Sequence, residues 1–126
     1  MASELRVDTL KDSSGNNSVG MAYVSGGSAK AWGLLNTATV RDTFNISSTT
    51  DNGTGDQTVN YTNSFGDADY SFVATGSNTG TSFGAYAVDF SPTNARSSSS
   101  LRFWTGAYNA LQDSTYNNFV VHGDLA

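Results

Sequence analysis

Apolar side chains in this sequence recur at every second position, in short runs cut off by glycine, asparagine, serine and aspartate. Leu5, Val7 and Thr9 alternate with Arg6 and Asp8, and Phe44, Ile46 and Ser48 with Asn45 and Ser47. Val59 and Tyr61 alternate with Thr58 and Asn60, and Tyr70, Phe72 and Ala74 with Ser71 and Val73. Residues i and i+2 of an extended chain share one face, so each run predicts a strand that turns one side to a core. Helix signals are nearly missing. Glu occurs once and Lys twice, and no stretch repeats apolar residues at three-and-four spacing for more than a turn.

The separators are turn-formers: Asp12 to Asn17, Ser25 to Ser28, Asp51 to Asp56, Gly76 to Gly80, and Ser91 to Asn94 around the only proline. Asn52-Gly53 suits the positive φ of a tight reversal, and Pro92 excludes its segment from a central strand. The predicted strands cover residues 4–10, 21–24, 29–35, 42–48, 57–62, 70–75, 82–90, 99–105 and 115–123. Residues 109–113 fit either a short helical turn or a loop. This spacing predicts an all-β protein, an antiparallel β-sandwich that is jelly-roll-like or similar.

The chain divides into an arm and a body. Residues 1–27 are polar, carry few large apolar side chains, and are interrupted by two glycine-containing turns, too little to fold alone. They predict an extended N-terminal arm for attachment or oligomerisation, with Leu5, Val7 and Leu10 as its contact residues. Residues 28–126 hold both tryptophans, all seven phenylalanines and five of the six tyrosines, and predict the sandwich.

Composition narrows function. Net charge is −5, and the six Lys and Arg form no patch, which argues against a nucleic-acid partner. No Cys is present, so disulfides and thiolate metal sites are excluded. No apolar run reaches the ~18 residues of a membrane helix and no export signal opens the chain, so cytoplasmic synthesis without membrane insertion is expected. Charged residues make up only 13%, against about 25% in typical domains. A surface so weakly charged suggests cover by a partner or by copies of the same chain.

Catalytic patterns are weak. His122, the sole histidine, sits in a terminal strand pattern without a nucleophile elbow. Asp67 and Asp69 could pair as glycosidase carboxylates but more simply flank a turn. The Asp51 to Asp56 loop offers oxygens to a hard cation, yet its frame puts Thr62 where an EF-hand needs Glu, and local backbone bonding is the ordinary reading. Gly53-Thr54-Gly55 has no basic residue behind it to cradle phosphate. A non-enzymatic protein without cofactor or metal is expected. Phe44, Phe65, Tyr70, Phe72, Phe83, Tyr86, Phe90, Phe103, Trp104 and Phe119 are predicted mainly as core. Trp32, Tyr108 and Tyr116 border glycines or asparagines and are the candidates for carbohydrate or receptor contact.

Several segments resemble surface structural proteins of marine tailed bacteriophages such as cyanophages. They are Met1 to Gly15 (MASELRVDTLKDSSG), Val24 to Trp32 (VSGGSAKAW), Arg41 to Ser48 with Asp51 to Thr62, and the ending Val120 to Ala126 (VVHGDLA). The resemblance implies a virion protein of fibre, knob or capsid-decoration type, made in the host bacterial cytoplasm and carried on the virion surface. It implies a homotrimer in contact with other capsid or tail proteins, stabilising the particle or attaching it to a host. A receptor-binding tail-fibre tip or a lectin-like module recognising a host surface glycan is the alternative. The segment from Thr75 to Asn118 carries none of the likeness.

Overall fold

The computed structural model describes residues 3–77, 85–89, 96–107 and 110–126. Among these residues the chain is all-β apart from one short helix. Its elements are β1 (Thr9–Lys11), β2 (Ser18–Gly20), α1 (Met21–Gly27), β3 (Ala31–Asn36), β4 (Thr39–Phe44), β5 (Ile46–Gly53), β6 (Asp56–Tyr61), β7 (Ser71–Ser77), β8 (Ala85–Asp89), β9 (Ser100–Ala107), β10 (Ala110–Leu111) and β11 (Tyr116–His122).

β1 and β2 form a separate two-stranded hairpin. The other strands join in the order β4-β3-β11-β7-β8-β9-β6-β5, with β10 added to β9, and every pairing is antiparallel. The path folds back on itself. Phe119 on β11 meets Phe103 on β9 with ring centroids 5.8 Å apart, Phe72 on β7 meets Phe103 at 5.3 Å, and Asn117 on β11 donates to Gln57 Oε1 on β6 at 3.1 Å. One layer is therefore β4-β3-β11-β7 and the other β8-β9-β6-β5, an antiparallel β-sandwich.

Alternation fills the space between the layers. β6 buries Gln57, Val59 and Tyr61, and β11 buries Asn117, Phe119 and Val121. Ala31, Leu35, Phe65, Tyr70, Leu101 and Phe103 complete the core. β3 contributes a glycine where a side chain would not fit. A Cβ on Gly33 would stand 2.6 Å from Phe119 Cε1, so the Phe119 ring lies over the bare β3 backbone.

A single residue carries the chain between layers. β4 ends one edge of the path and β5 ends the other, yet only Asn45 separates them. Asn45 is left-handed, φ 60°, a conformation that asparagine tolerates better than most residues. Its side chain ties the corner. Nδ2 donates to Lys30 O and Asn63 O, each at 3.0 Å, and Oδ1 accepts from the Asn63 N–H at 2.7 Å.

The structure corrects several expectations. The predicted 42–48 strand is two strands. The turn at Asn45 breaks the alternation, leaving Phe44 exposed on the outside while Ile46 packs against the core. The predicted 21–24 strand lies inside helix α1, which has no buried residue and no side-chain N-cap. The 4–10 strand shrinks to Thr9–Lys11, because only that part finds a partner, in β2. Ala110–Leu111, expected as a helical turn or a loop, pairs with Gly106 and Ala107 as β10. Phe83 and Phe90 lie outside the described residues.

Candidate functional site

The two outward faces of the sandwich differ in kind. On the layer holding β5, β6 and β9 the outward residues are polar apart from Trp104, which stands opposite Asp56, and several of them bond one another. Asn60 donates to Ser48 Oγ at 3.0 Å, and Asn52 donates to Thr58 Oγ1 at 2.8 Å. Arg102 grips Asp56 with two bonds, Nε to Oδ1 at 2.8 Å and an Nη to Oδ2 at 2.6 Å. These Arg102 bonds, with a smaller share from the Trp104 indole, hold the Asp56 carboxyl below its ordinary value of 3.8 against the opposing effect of burial. Asp56 is thereby committed to Arg102, which removes it from the cation loop considered in the sequence. Asp51 Oδ1 accepts from its own turn at the Gly53 N–H.

The outward face of β4-β3-β11-β7 is apolar along one line. Trp32 pairs with Phe44 on one side and with Val120 on the other, and Val120 pairs with Val73. Phe44, Trp32, Val120 and Val73 form one cross-strand row over four strands, and the three largest openings to solvent are Phe44 at 53%, Trp32 at 39% and Val73 at 59%. The Trp32 and Phe44 rings are near parallel, 17° between planes and 6.4 Å between centroids. A shallow, mostly apolar depression beside Val73 and Val120 continues the row, edged by Thr75 and Asn118. The next row is Asp42, Leu34, Asn118 and Thr75.

Tyr116 stands on this same face, four residues before Val120 and therefore about 13 Å along β11. A bulge in the β3–β4 pairing at Leu34/Leu35 leaves Arg41 without an opposite residue. This frees its side chain to lie over the Tyr116 ring, 4.7 Å from guanidinium carbon to centroid. The structure thus puts Trp32 and Tyr116 on one sheet face, at its apolar and polar ends. Tyr108 lies outside the described residues. Phe44 and Val73, the partners of Trp32 in the row, were missed in the sequence because Phe44 continues a core-like alternation and Val73 occupies the polar phase of its own strand.

The other candidates have local roles. Asp67 Oδ1 accepts from the Asp69 N–H at 2.8 Å, the geometry of a turn-capping aspartate. His122 pairs with Ser71 at the end of β11. Among the described residues no three His, Cys, Asp or Glu side chains gather as a metal site, and no helix is long and apolar enough to cross a membrane.

The arm stands apart. None of residues 3–29 is buried. Leu5 is 80% and Tyr23 79% exposed, and Val7, Leu10 and Val19 are also open to solvent. Leu10 and Val19 face each other across the hairpin. Asp12 closes the hairpin turn by accepting from Ser14 Oγ, the Asn16 N–H and Asn17 Nδ2; the Asn17 bond is the main cause of its lowered pKa. Comparison with protein-family models, with curated proteins and with solved structures finds no match.

Proposed function

We propose that this chain is a non-enzymatic, multi-copy surface structural protein of a tailed bacteriophage virion, a knob, decoration or short fibre. In this reading residues 1–27 assemble and attach it, and the sandwich is displayed to stabilise the particle or engage the host. The observation that carries the reading is the arm: a segment with Leu5 and Tyr23 in water, no buried residue among those described, and a hairpin of its own. Such a segment gains little from the fold it precedes, and its role is contact with something else. The bacteriophage assignment is supported by the resemblance of the opening, corner and ending segments. Multiple copies on one particle would add weak contacts into firm attachment.

The test is location. Particles purified from a lysate are analysed by mass spectrometry and cryo-EM with the full chain as reference. The chain is expected in stoichiometric, multi-copy amounts on the outer surface, in a homotrimer. Its absence from every particle fraction refutes the assignment. One observation favours a second reading as a lectin-like module: Trp32 and Tyr116 share a face with Asp42 and Asn118, and aromatic faces beside amide and carboxylate groups suit sugar rings. A glycan array probed with the full chain and with Tyr116→Ala separates the two.

A further inference from the structure

We propose that the apolar row of Phe44, Trp32, Val120 and Val73 is covered by the N-terminal arm of a second copy of this chain. The inference rests on the assembly role given to the arm above and names the surface that receives it.

Three observations converge. The first is complementary character. The row is an apolar strip of four side chains, the opposite layer's outer face is polar and internally bonded apart from Trp104, and the arm offers Leu5, Val7 and Tyr23, all exposed. Leu5 and Val7 stand at i and i+2, so an extended arm points both to one side.

The second is size. Side chains of this kind present on the order of 150–250 Å² when aromatic and somewhat less when aliphatic. At the exposures seen, the arm residues offer about 350 Å² and the row a similar area. Each arm-to-row contact covers about 700 Å², so a closed trimer in which each copy gives one arm and receives one covers about 2,100 Å² in all, the scale of stable specific interfaces.

The third is position. The arm joins the body at Lys30, next to β3, and Trp32 is the second residue of that strand. Each arm therefore leaves the body beside the row. Copies that share this face around a closed ring have each arm root next to a neighbour's row, the arrangement in which exchanging identical segments is easiest.

The test uses the full chain carrying Trp104→Phe, so that Trp32 is the sole tryptophan. Sedimentation and acrylamide quenching are followed over a dilution series from micromolar to millimolar. Association is expected with at least a threefold fall in the quenching constant of Trp32 as copies assemble. Leu5→Asp with Val7→Asp is expected to abolish both effects while leaving the melting of the body unchanged, since neither residue is buried. Val73→Asp on the receiving face is expected to do the same. A monomer at every concentration overturns the proposal, and so does an oligomer that survives both sets of substitutions. Trp32 protection that is independent of dilution yet lost in the arm variant would mean cover by the chain's own arm. Protection of a monomer only by added polysaccharide would mean a sugar site. Either outcome also overturns the proposal. The experiment needs no particle: an associating chain that no virion carries refutes the display reading alone, and a virion-borne monomer refutes this inference alone.

Discussion

Replacing Asn45 isolates what closes the sandwich. Asn45 contributes in two separable ways, a left-handed backbone that spares the chain a longer turn and a side chain that makes three hydrogen bonds across the corner. Asn45→Gly keeps the backbone and removes the bonds. Net values of about 0.5–1.5 kcal/mol per bond, reduced because the corner is only half-buried, give a loss of about 2 kcal/mol. Asn45→Ala removes the same bonds and also places a Cβ in the left-handed region, which costs roughly a further 1 kcal/mol. The expected order of stability is Asn, then Gly, then Ala. The assay is urea unfolding followed by tryptophan emission, in the Leu5→Asp, Val7→Asp background to hold the chain monomeric. Loss of stability with an unchanged slope against urea places the effect in the folded state. Gly and Ala variants within about 0.3 kcal/mol of each other would show that φ at this corner is not a constraint. Both variants matching the parent would refute the corner's role altogether.

Two further predictions concern packing and charge. Gly33→Ala brings a Cβ to 2.6 Å from Phe119 and is expected to cost about 1–3 kcal/mol; adding Phe119→Leu, which withdraws the ring, should recover part of it, and a double variant no better than additive refutes the contact. Arg102 holds Asp56 below 3.8, so that contribution is fully present above pH about 4 and is lost as pH falls through the depressed folded-state value. In acid unfolding, Asp56→Asn should lower stability at pH 7 and flatten the pH dependence below 4, whereas an unaltered acid limb would show that Asp56 is not the group responsible.

Much of the sandwich was legible because burial alternates within single strands. Val59 and Tyr61 announce β6, and Phe119 and Val121 announce β11, without reference to any other segment, whereas the burial of Gln57 beside them does not show in its polar side chain. Helix α1 was not legible: Met21–Gly27 contains two glycines, lacks a side-chain cap, and buries nothing, so neither pattern nor propensity marks it. Phe44 misled for a local reason, since one left-handed residue reverses which side the next positions face. The candidate site was half legible. Trp32 and Tyr116 stood out by their glycine and asparagine neighbours, but the row that gives Trp32 its setting is made by residues 44, 32, 120 and 73. Only strand register brings them into line, and register between distant strands leaves no trace in local sequence.

The place of β11 has a consequence for how the chain reaches its folded state. β11 comes later in the chain than both of its neighbours, yet it sits between them in its layer, paired with β3 on one side and β7 on the other. Until residues 116–122 emerge, β3 and β7 have no common neighbour, and the Phe119 and Val121 share of the interior is missing. A chain stopped before residue 116 therefore holds unzipped strands rather than a slightly shorter version of the same protein.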